Sequence, residues 1–183
     1  MNTPPTKAVR VAIIGSSQSN LFATYFPKMV KKVKALVDSK QNVTYVSGGS
    51  AGSDHVAVAL FLESKDVSLH LYLPCDFIGR RFYETPESGD WKTNPGKSLN
   101  VRHRQFSKQI GVETLDQIAE AIGKGASFTV GKGFHDRNTM VSENCDVLIA
   151  FTDTPEIEGG TLDTWKKVHC KKIHVPILSL KDM

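Results

Sequence analysis

The stretch FHDRNTMVSENCDVLIAFTDTPEIEGGTLDTW, residues 134–165, decides the fold, because a buried strand stands in it between two helical segments. Its centre, residues 146–151, is a short continuous apolar run, which is typical of a strand covered on both faces of a parallel sheet. Residues 135–144 before it and residues 161–169 after it have patterns that predict helices. The stretch therefore predicts a helix, a parallel strand and a second helix in succession.

Strands and helices alternate in the same way through the rest of the chain. Residues 9–14 form a β-branched run that ends at Gly15 and indicates a central strand. Residues 21–38 have apolar side chains at helical spacing, although Pro27 predicts a break or kink in the first part of this helix. The alternation predicts a doubly wound α/β domain, with a mainly parallel sheet and helices on both faces. The remaining predicted strands are 43–46, 67–73, 128–130 and 172–177, and the remaining predicted helices are 54–63, 101–110 and 114–122.

The composition of the 183 residues excludes several classes of protein. An apolar content of 40% argues against a disordered chain, and no segment approaches the roughly 20 apolar residues that span a bilayer. The opening segment MNTPPTKAVR lacks the apolar core of a signal peptide, so we expect a cytoplasmic protein with no membrane partner. The net charge of +4 suits an anionic ligand without requiring nucleic acid.

The cysteines and histidines form no pattern that binds a metal. Cys75, Cys145 and Cys170 are widely spaced and lack a C-x-x-C motif, so we expect free thiols. His103, between Arg102 and Arg104, belongs to a basic triplet for which we expect solvated charge, with phosphate contact as the alternative. We predict neither a metal site nor a cofactor.

Residues 76–99 are the irregular part of a chain that we expect to form one domain over residues 1–183. They are rich in glycine, proline and polar side chains, and a loop of this length in a compact domain is functional or disordered. The segments 80–83 (RRFY) and 91–92 (WK) suit either contact with single-stranded DNA or a lid over a small-molecule site.

Three predicted strands are followed by loops of glycine and hydroxyl residues, namely 15–17 (GSS), 47–52 (SGGSAG) and 158–161 (EGGT). Glycine lets the backbone approach a ligand, and amides at the start of the next helix point at an anion. The three loops together predict a phosphate or nucleotide site, although each one alone also fits a tight turn with no ligand. The strict G-x-G-x-x-G fingerprint is absent from the first loop, and so is the G-x-x-x-x-G-K-[ST] pattern from the chain.

Four motifs share their order and spacing with a known family. VAIIGSS at 11–17 looks like a first strand and loop, and YVSGGSAGSDHVAVAL at 45–60 is similar to the motifs S-G-x-A-x-G-I-D and G-G-G-S-x-G. FHDRN at 134–138 is similar to F-x-x-R-N-R and M-x-x-R-K, and GGTLDT at 159–164 to S-G-S-L-x-T and P-G-G-x-G-T-x-x-E. The combination resembles the SLOG superfamily of Rossmann-like nucleotide-binding domains. Its best known branches are the LOG phosphoribohydrolases and the DNA-processing protein DprA.

The resemblance implies a role for each motif. Arg137, followed by Asn138, would lie over the ligand, and the loop that begins at Gly159 would bind phosphate at a helix start. We expect Arg137→Ala to abolish binding and to leave the fold intact. Asp54 either caps the helix or packs within the fold, or it contacts the ligand. Both branches imply a homodimer or higher homo-oligomer. The binding residues predicted in this way are Gly15, Ser16, Ser17, Ser47, Gly48, Gly49, Asp54, Arg137, Asn138, Gly159, Gly160 and Thr161.

Thr164 departs from the LOG pattern, because it stands where that motif has its last glutamate. Threonine cannot replace a carboxylate that stabilises an oxocarbenium-like centre or activates water. Either Glu158 or Asp163 takes over, or the chain is not a LOG-type hydrolase. Because a helix turns about 100° per residue, we expect Asp163 to point away from the direction of Thr164 and Glu158 to face the ligand. The catalytic candidates are Arg137, Glu158 and Asp163.

Three functions follow from the resemblance. The first is a sensor or carrier that binds a nucleotide or nucleotide-derived ligand at the C-terminal edge of the sheet. The second is hydrolysis of the N-glycosidic bond of nucleoside 5′-monophosphates with release of the base. The third, less favoured, is binding of single-stranded DNA in the manner of DprA.

Overall fold

In the computed structural model, which describes residues 7–16, 20–38, 41–86 and 89–183, a six-stranded sheet carries helices on both faces. The strands of this sheet run in the order β6-β3-β2-β1-β7-β8, and every neighbouring pair is parallel. The predicted Rossmann-like, doubly wound α/β fold is therefore confirmed. The six strands are β1 Val9–Gly15, β2 Val43–Ser47, β3 Val67–Leu73, β6 Ser127–Val130, β7 Val147–Thr152 and β8 Lys171–Pro176.

The two faces of the sheet are covered by different sets of helices, which explains why its central strands are apolar throughout. Val11 and Ile13 of β1 are buried in the larger core, and Ala12 and Ile14 are buried in the smaller one on the opposite face. Helices α1 to α4 cover the larger core, and α5 and α6 lie together on the other face. The helices are α1 Leu21–Leu36, α2 His55–Glu63, α3 Pro95–Ile110, α4 Thr114–Gly123, α5 Gly133–Glu143 and α6 Gly159–Lys167.

Helix α1 runs without interruption through Pro27, so the predicted break is wrong. Pro27 is exposed, while Phe22, Met29 and Val33 of the same helix are buried in the larger core. Burial of a large apolar side chain contributes about 1.5–3 kcal/mol, and three such side chains outweigh the roughly 3 kcal/mol that an internal proline costs. None of the helices among the described residues is both long and apolar enough to cross a membrane.

The segment 76–99 contains more order than its composition indicates. It holds an antiparallel hairpin of β4 Phe77–Ile78 and β5 Arg81–Phe82, and α3 already begins at Pro95. Asn100 accepts a hydrogen bond from Phe82 N at 3.0 Å and donates one to Phe82 O at 2.8 Å. Asn94 likewise accepts a hydrogen bond from Thr85 N at 3.0 Å and donates one to Thr85 O at 2.9 Å. These two buried amides hold the segment to α3 in place of a strand ladder.

The sheet reverses its order beside β1, and this reversal creates the site. From β1 the chain adds β2, β3 and β6 on one side, and then returns to place β7 and β8 on the other. The loops that follow β1, β2 and β7 therefore lie side by side at the carboxyl edge of the sheet. A crevice at such a switch point is the usual ligand position in open α/β sheets.

Candidate functional site

A cavity of about 680 Å³ opens at this carboxyl edge. Its lining comes from the loops after β1, β2 and β7, from one face of α5 and from the first turn of α6. The volume lies within the roughly 300–1,000 Å³ that is typical of small-molecule sites. The predicted residues that line it are Gly15, Ser16, Gly48, Asp54, Arg137, Asn138, Glu158, Gly159, Gly160, Thr161 and Asp163.

Arg137 of α5 anchors one wall of the cavity. Its Nη1 donates to the carbonyl oxygen of Gly48 at 2.6 Å and to Ser50 Oγ at 3.2 Å, and lies 3.4 Å from Asp54 Oδ2. The residue is only 9% exposed, and its Nε has no hydrogen-bond partner among the described residues. Burial lowers the pKa of Arg137 while Asp54 raises it, and the guanidinium stays charged at neutral pH. Nη1 of the arginine is therefore committed to the protein itself.

Gly48 is required by the approach of Arg137. A Cβ atom at position 48 would overlap Nη1 of Arg137 and press on the Asp54 carboxylate. Glycine therefore lets the arginine reach across from α5 to the loop after β2. We call the set Gly48, Ser50, Asp54 and Arg137 the inner wall.

Asp54 does not cap α2, because its side chain makes no capping hydrogen bond. Its carboxylate pairs with Arg137 instead, and it accepts from the Ser50 amide at 3.4 Å. Burial raises the pKa of Asp54 above its ordinary value, although Arg137 and the amides of Ser50, Gly48 and Gly15 oppose this. The helix-cap alternative is thus wrong, and Asp54 holds Arg137 in place.

The opposite wall consists of Glu158, Gly159, Gly160, Thr161 and Asp163, which we call the outer wall. Glu158, Gly159 and Gly160 are exposed, and Gly159 has a φ of +58°, a left-handed conformation that favours glycine. The first turn of α6 contains no acidic side chain, so its amide groups can receive an anion from the cavity. Glu158, Gly159 and Gly160 of this wall therefore offer groups to a ligand, whereas Asp163 also has partners within the protein.

Both carboxylates of the outer wall line the cavity, contrary to the expectation that Asp163 points away. Asp163 accepts hydrogen bonds from Asn138 Nδ2 at 3.2 Å and Lys167 Nζ at 3.0 Å, and His135 Nδ1 lies 3.7 Å away. Partial burial acts to raise the pKa of Asp163, but the hydrogen bonds from Lys167 and Asn138 and the nearby charges hold it below its ordinary value. Asp163 is therefore ionised at neutral pH.

Thr164 also lines the cavity, but its hydroxyl group is occupied within α6. Its Oγ1 donates to the carbonyl oxygen of Gly160 at 3.2 Å, and the residue is buried. This bond leaves the Thr164 hydroxyl no free proton for a ligand.

Two predicted binding residues lie elsewhere than in the lining, and a third falls outside the described residues. Ser47 Oγ donates to the carbonyl oxygen of Asp54 at 2.9 Å and accepts from Gly49 N at 3.1 Å, so Ser47 braces the loop from inside. Gly49 lies behind the cavity, where a Cβ would overlap Leu73. Ser17 lies outside the described residues.

A buried polar network behind the inner wall was not found by the sequence analysis. His103 is fully buried rather than solvated, with Nε2 2.9 Å from the carbonyl oxygen of Gly49 and Nδ1 2.9 Å from Thr114 Oγ1. His55 is fully buried beside it and pairs with Gln117 at 2.7 Å. Burial lowers the pKa of His55 to about 4 and that of His103 to about 3, so both rings are neutral at pH 7. The network supports the peptide next to Gly48.

An aromatic group at the mouth of the cavity includes Trp91, which the sequence indicated as a DNA contact or part of a lid. Trp91 lies 6.0 Å from Phe134 and 6.2 Å from His135 between ring centroids, and the Arg137 guanidinium carbon lies 5.3 Å from the Phe134 ring. Phe134 and His135 stand three and two positions before Arg137 in the chain, and their contact with Trp91 was not predicted. Trp91 is separated from them by more than forty positions in the chain.

Comparison with known proteins gives one informative match. No family model matches the sequence. The uncharacterized protein R261 of Acanthamoeba polyphaga mimivirus is 38% identical over 180 residues, which cover 91% of this chain and 95% of the viral protein. The viral protein is described as uncharacterized, so this match assigns no function.

Proposed function

The chain belongs to the same family as the mimivirus protein R261, and from the geometry of its site we propose that it binds a nucleotide or nucleotide-derived ligand as a sensor or carrier. The observation that carries the proposal is the pairing of two unlike walls across one cavity. An arginine-braced glycine loop stands on one side, and an open helix N-terminus stands on the other. The resemblance to the SLOG superfamily supports the same function.

Each part of a nucleotide has a matching group in the cavity. The phosphate would accept hydrogen bonds from the amides at the start of α6 and from the Thr161 hydroxyl, near the charge of Arg137. The ribose hydroxyls would donate to the exposed carboxylate of Glu158. The base would lie against the ring of Phe134, since stacking on an aromatic side chain is worth about 1–3 kcal/mol per base.

Gly160 offers the sharpest test. A Cβ at this position would meet only Asn138 Nδ2 at 3.8 Å, an ordinary contact, so the site tolerates a small side chain. Gly160→Asp places a negative charge in the first turn of α6, where it favours the helix but repels a phosphate. Gly160→Asn is the matched control, with the same shape and no charge.

We expect isothermal titration of the wild type with the four ribonucleoside 5′-monophosphates to detect binding. Gly160→Asp should weaken it at least tenfold relative to Gly160→Asn, with both variants as thermally stable as the wild type. Equal affinity in the two variants would show that the phosphate does not bind at the start of α6. No binding of any nucleotide to the wild type would reject the proposal.

Hydrolysis of the N-glycosidic bond is a second candidate, favoured by one observation. Glu158 and the ionised Asp163 line the same cavity as Arg137, so a carboxylate could reach the sugar although Thr164 replaces the LOG glutamate. The test is chromatographic detection of free base from nucleoside 5′-monophosphates, with Glu158→Gln and Asp163→Asn as separate variants. Base release by the wild type, lost in one variant, would make the protein a phosphoribohydrolase.

DNA binding in the manner of DprA is distinguished by its dependence on salt. Binding of single-stranded DNA through many phosphates would weaken steeply as salt rises, with a slope of about 0.7 per phosphate contacted. A mononucleotide has no condensed counterions to release, so its affinity would depend much less on salt.

A further inference from the structure

A second cavity adjoins the main one and shares two of its residues. Its volume is about 500 Å³, and Trp91 and Arg102 line both compartments. We call this second compartment the Trp91 groove; its other lining residues are Gly89, Asp90, Asn94, Lys97, Ser98, Val101 and Gln105. The space available to a ligand therefore continues past Trp91 instead of ending at it.

Trp91 is fixed as a partition between the two compartments. Its indole packs against Phe134 and His135 of α5, and the Lys92 ammonium lies 5.5 Å from its ring centroid. Three residues further on, Asn94 is bound to both backbone groups of Thr85 and accepts from Lys97 N at 3.3 Å. These contacts hold the indole in place, and it is still 46% exposed, so it presents an aromatic surface at the cavity.

The two compartments differ in charge. The main cavity has five carboxylates in its lining, at Asp54, Asp153, Glu156, Glu158 and Asp163. Among the described residues that line the Trp91 groove, Asp90 is the only carboxylate, and Lys97 and Arg102 are the cationic side chains. Arg102 therefore places a positive charge on the boundary between the compartments, where it attracts a bridging anion.

We propose that the ligand is a dinucleotide, two nucleoside units joined through their phosphates, rather than a mononucleotide. One nucleoside occupies the main cavity, the bridging phosphates run from the start of α6 to Arg102 beside Trp91, and the second nucleoside lies in the Trp91 groove near Lys97. Trp91 supplies a stacking surface for the second base. This inference rests on the proposed function, because it assigns a ligand class to the same site.

The test compares mononucleotides with dinucleotides of the same base. Wild-type protein is titrated calorimetrically with the four ribonucleoside 5′-monophosphates and with the four symmetric dinucleoside pyrophosphates. We expect at least one dinucleotide to bind tenfold or more tightly than its mononucleotide. Trp91→Ala and Lys97→Ala should each reduce this ratio at least threefold. Lys65→Ala, which removes an exposed lysine at the opposite edge of the sheet, should leave it unchanged.

The outcomes separate this inference from the proposal beneath it. Equal affinity of the wild type for mononucleotide and dinucleotide overturns the assignment of a dinucleotide as the ligand. The proposal that the protein binds a nucleotide would still stand. A dinucleotide preference that survives in both Trp91→Ala and Lys97→Ala also overturns it, because the second unit would then lie elsewhere. Failure of every mononucleotide and every dinucleotide to bind overturns the inference and the proposed function together.

Discussion

The inner wall and the outer wall face the same cavity but differ in how far their polar groups are buried. In the inner wall, Arg137 and Asp54 are at most 9% exposed, and their charges are satisfied by each other and by the loop after β2. In the outer wall, Glu158 and Gly160 are exposed, and the helix start is open to the cavity. The inner wall is therefore a support and the outer wall is a contact surface.

This difference separates two effects that a substitution can have. A change in the inner wall removes a partner from a buried group, and so it lowers stability together with binding. A change in the outer wall touches groups that water already reaches, and so it alters binding while stability stays nearly constant.

The largest effect is expected for Arg137→Ala. Removing the guanidinium leaves the Asp54 carboxylate buried without its partner, which costs about 3–5 kcal/mol of unfolding free energy. Urea denaturation measures this loss. The double variant Arg137→Met with Asp54→Asn removes both charges and should recover most of it. A loss below about 1 kcal/mol in Arg137→Ala would show that the inner wall does not support the fold.

Acid should destabilise the protein through the buried histidines behind the inner wall. His55 and His103 have folded pKa values of about 4 and about 3, below the ordinary 6.5. A base with a lowered folded pKa takes up its proton in the unfolded chain first, so stability falls as pH drops below 6.5. At pH 5 the loss is about 2 kcal/mol for each ring.

An opposing effect of Asp54 and a control variant refine this pH prediction. The raised pKa of Asp54 acts in the opposite direction, because its stabilising effect is present in acid and is lost as pH rises through the folded pKa. Urea unfolding at pH 7 and pH 5 should therefore be compared between the wild type and His103→Asn, in which the pH dependence becomes smaller. An unchanged dependence would mean that His103 is not a buried neutral ring.

Gly48→Ala should have an intermediate effect. The added methyl group overlaps Nη1 of Arg137 and forces the inner wall apart, at a cost of about 1–3 kcal/mol. Gly123→Ala is the matched control, since a Cβ at that helix end meets nothing within 4 Å. That variant should be neutral or more stable by up to about 1 kcal/mol. Thermal unfolding of the two variants measures the difference.

The smallest effect on stability is expected for Glu158→Gln in the outer wall. The exposed carboxylate has no side-chain capping hydrogen bond to lose, so the unfolding free energy should change by less than about 0.5 kcal/mol. Nucleotide affinity should nevertheless fall, because the amide is a weaker acceptor for a ribose hydroxyl. A loss of stability as large as that of Gly48→Ala would show that the outer wall also supports the fold.

Sequence patterns predicted the strands and helices, because these patterns repeat locally. They did not predict contacts between residues that are distant in the chain. Continuous apolar runs such as β7 predicted the parallel sheet, since burial on both faces removes polar positions from a strand. The structural role of Arg137 was missed, because its pairing with Asp54 joins positions 83 apart. The expectation that Arg137→Ala spares the fold is therefore replaced by the loss described above. The contacts of Asn94 and Asn100, and those of Trp91 with α5, were equally hidden, since they follow no periodicity.

The measurement that tests the central claim most directly is mapping of a bound nucleotide on the backbone amide resonances of the wild-type protein. Mononucleotides and dinucleotides would be titrated while nitrogen–proton correlation spectra are recorded. We predict that the amides of Gly48, Gly160 and Thr161 shift together with one saturation curve, while those of Lys31 and Lys32 on α1 stay in place. Shifts confined to the lysines of α1, or no shift at millimolar nucleotide, would contradict the claim that the two walls form a nucleotide site.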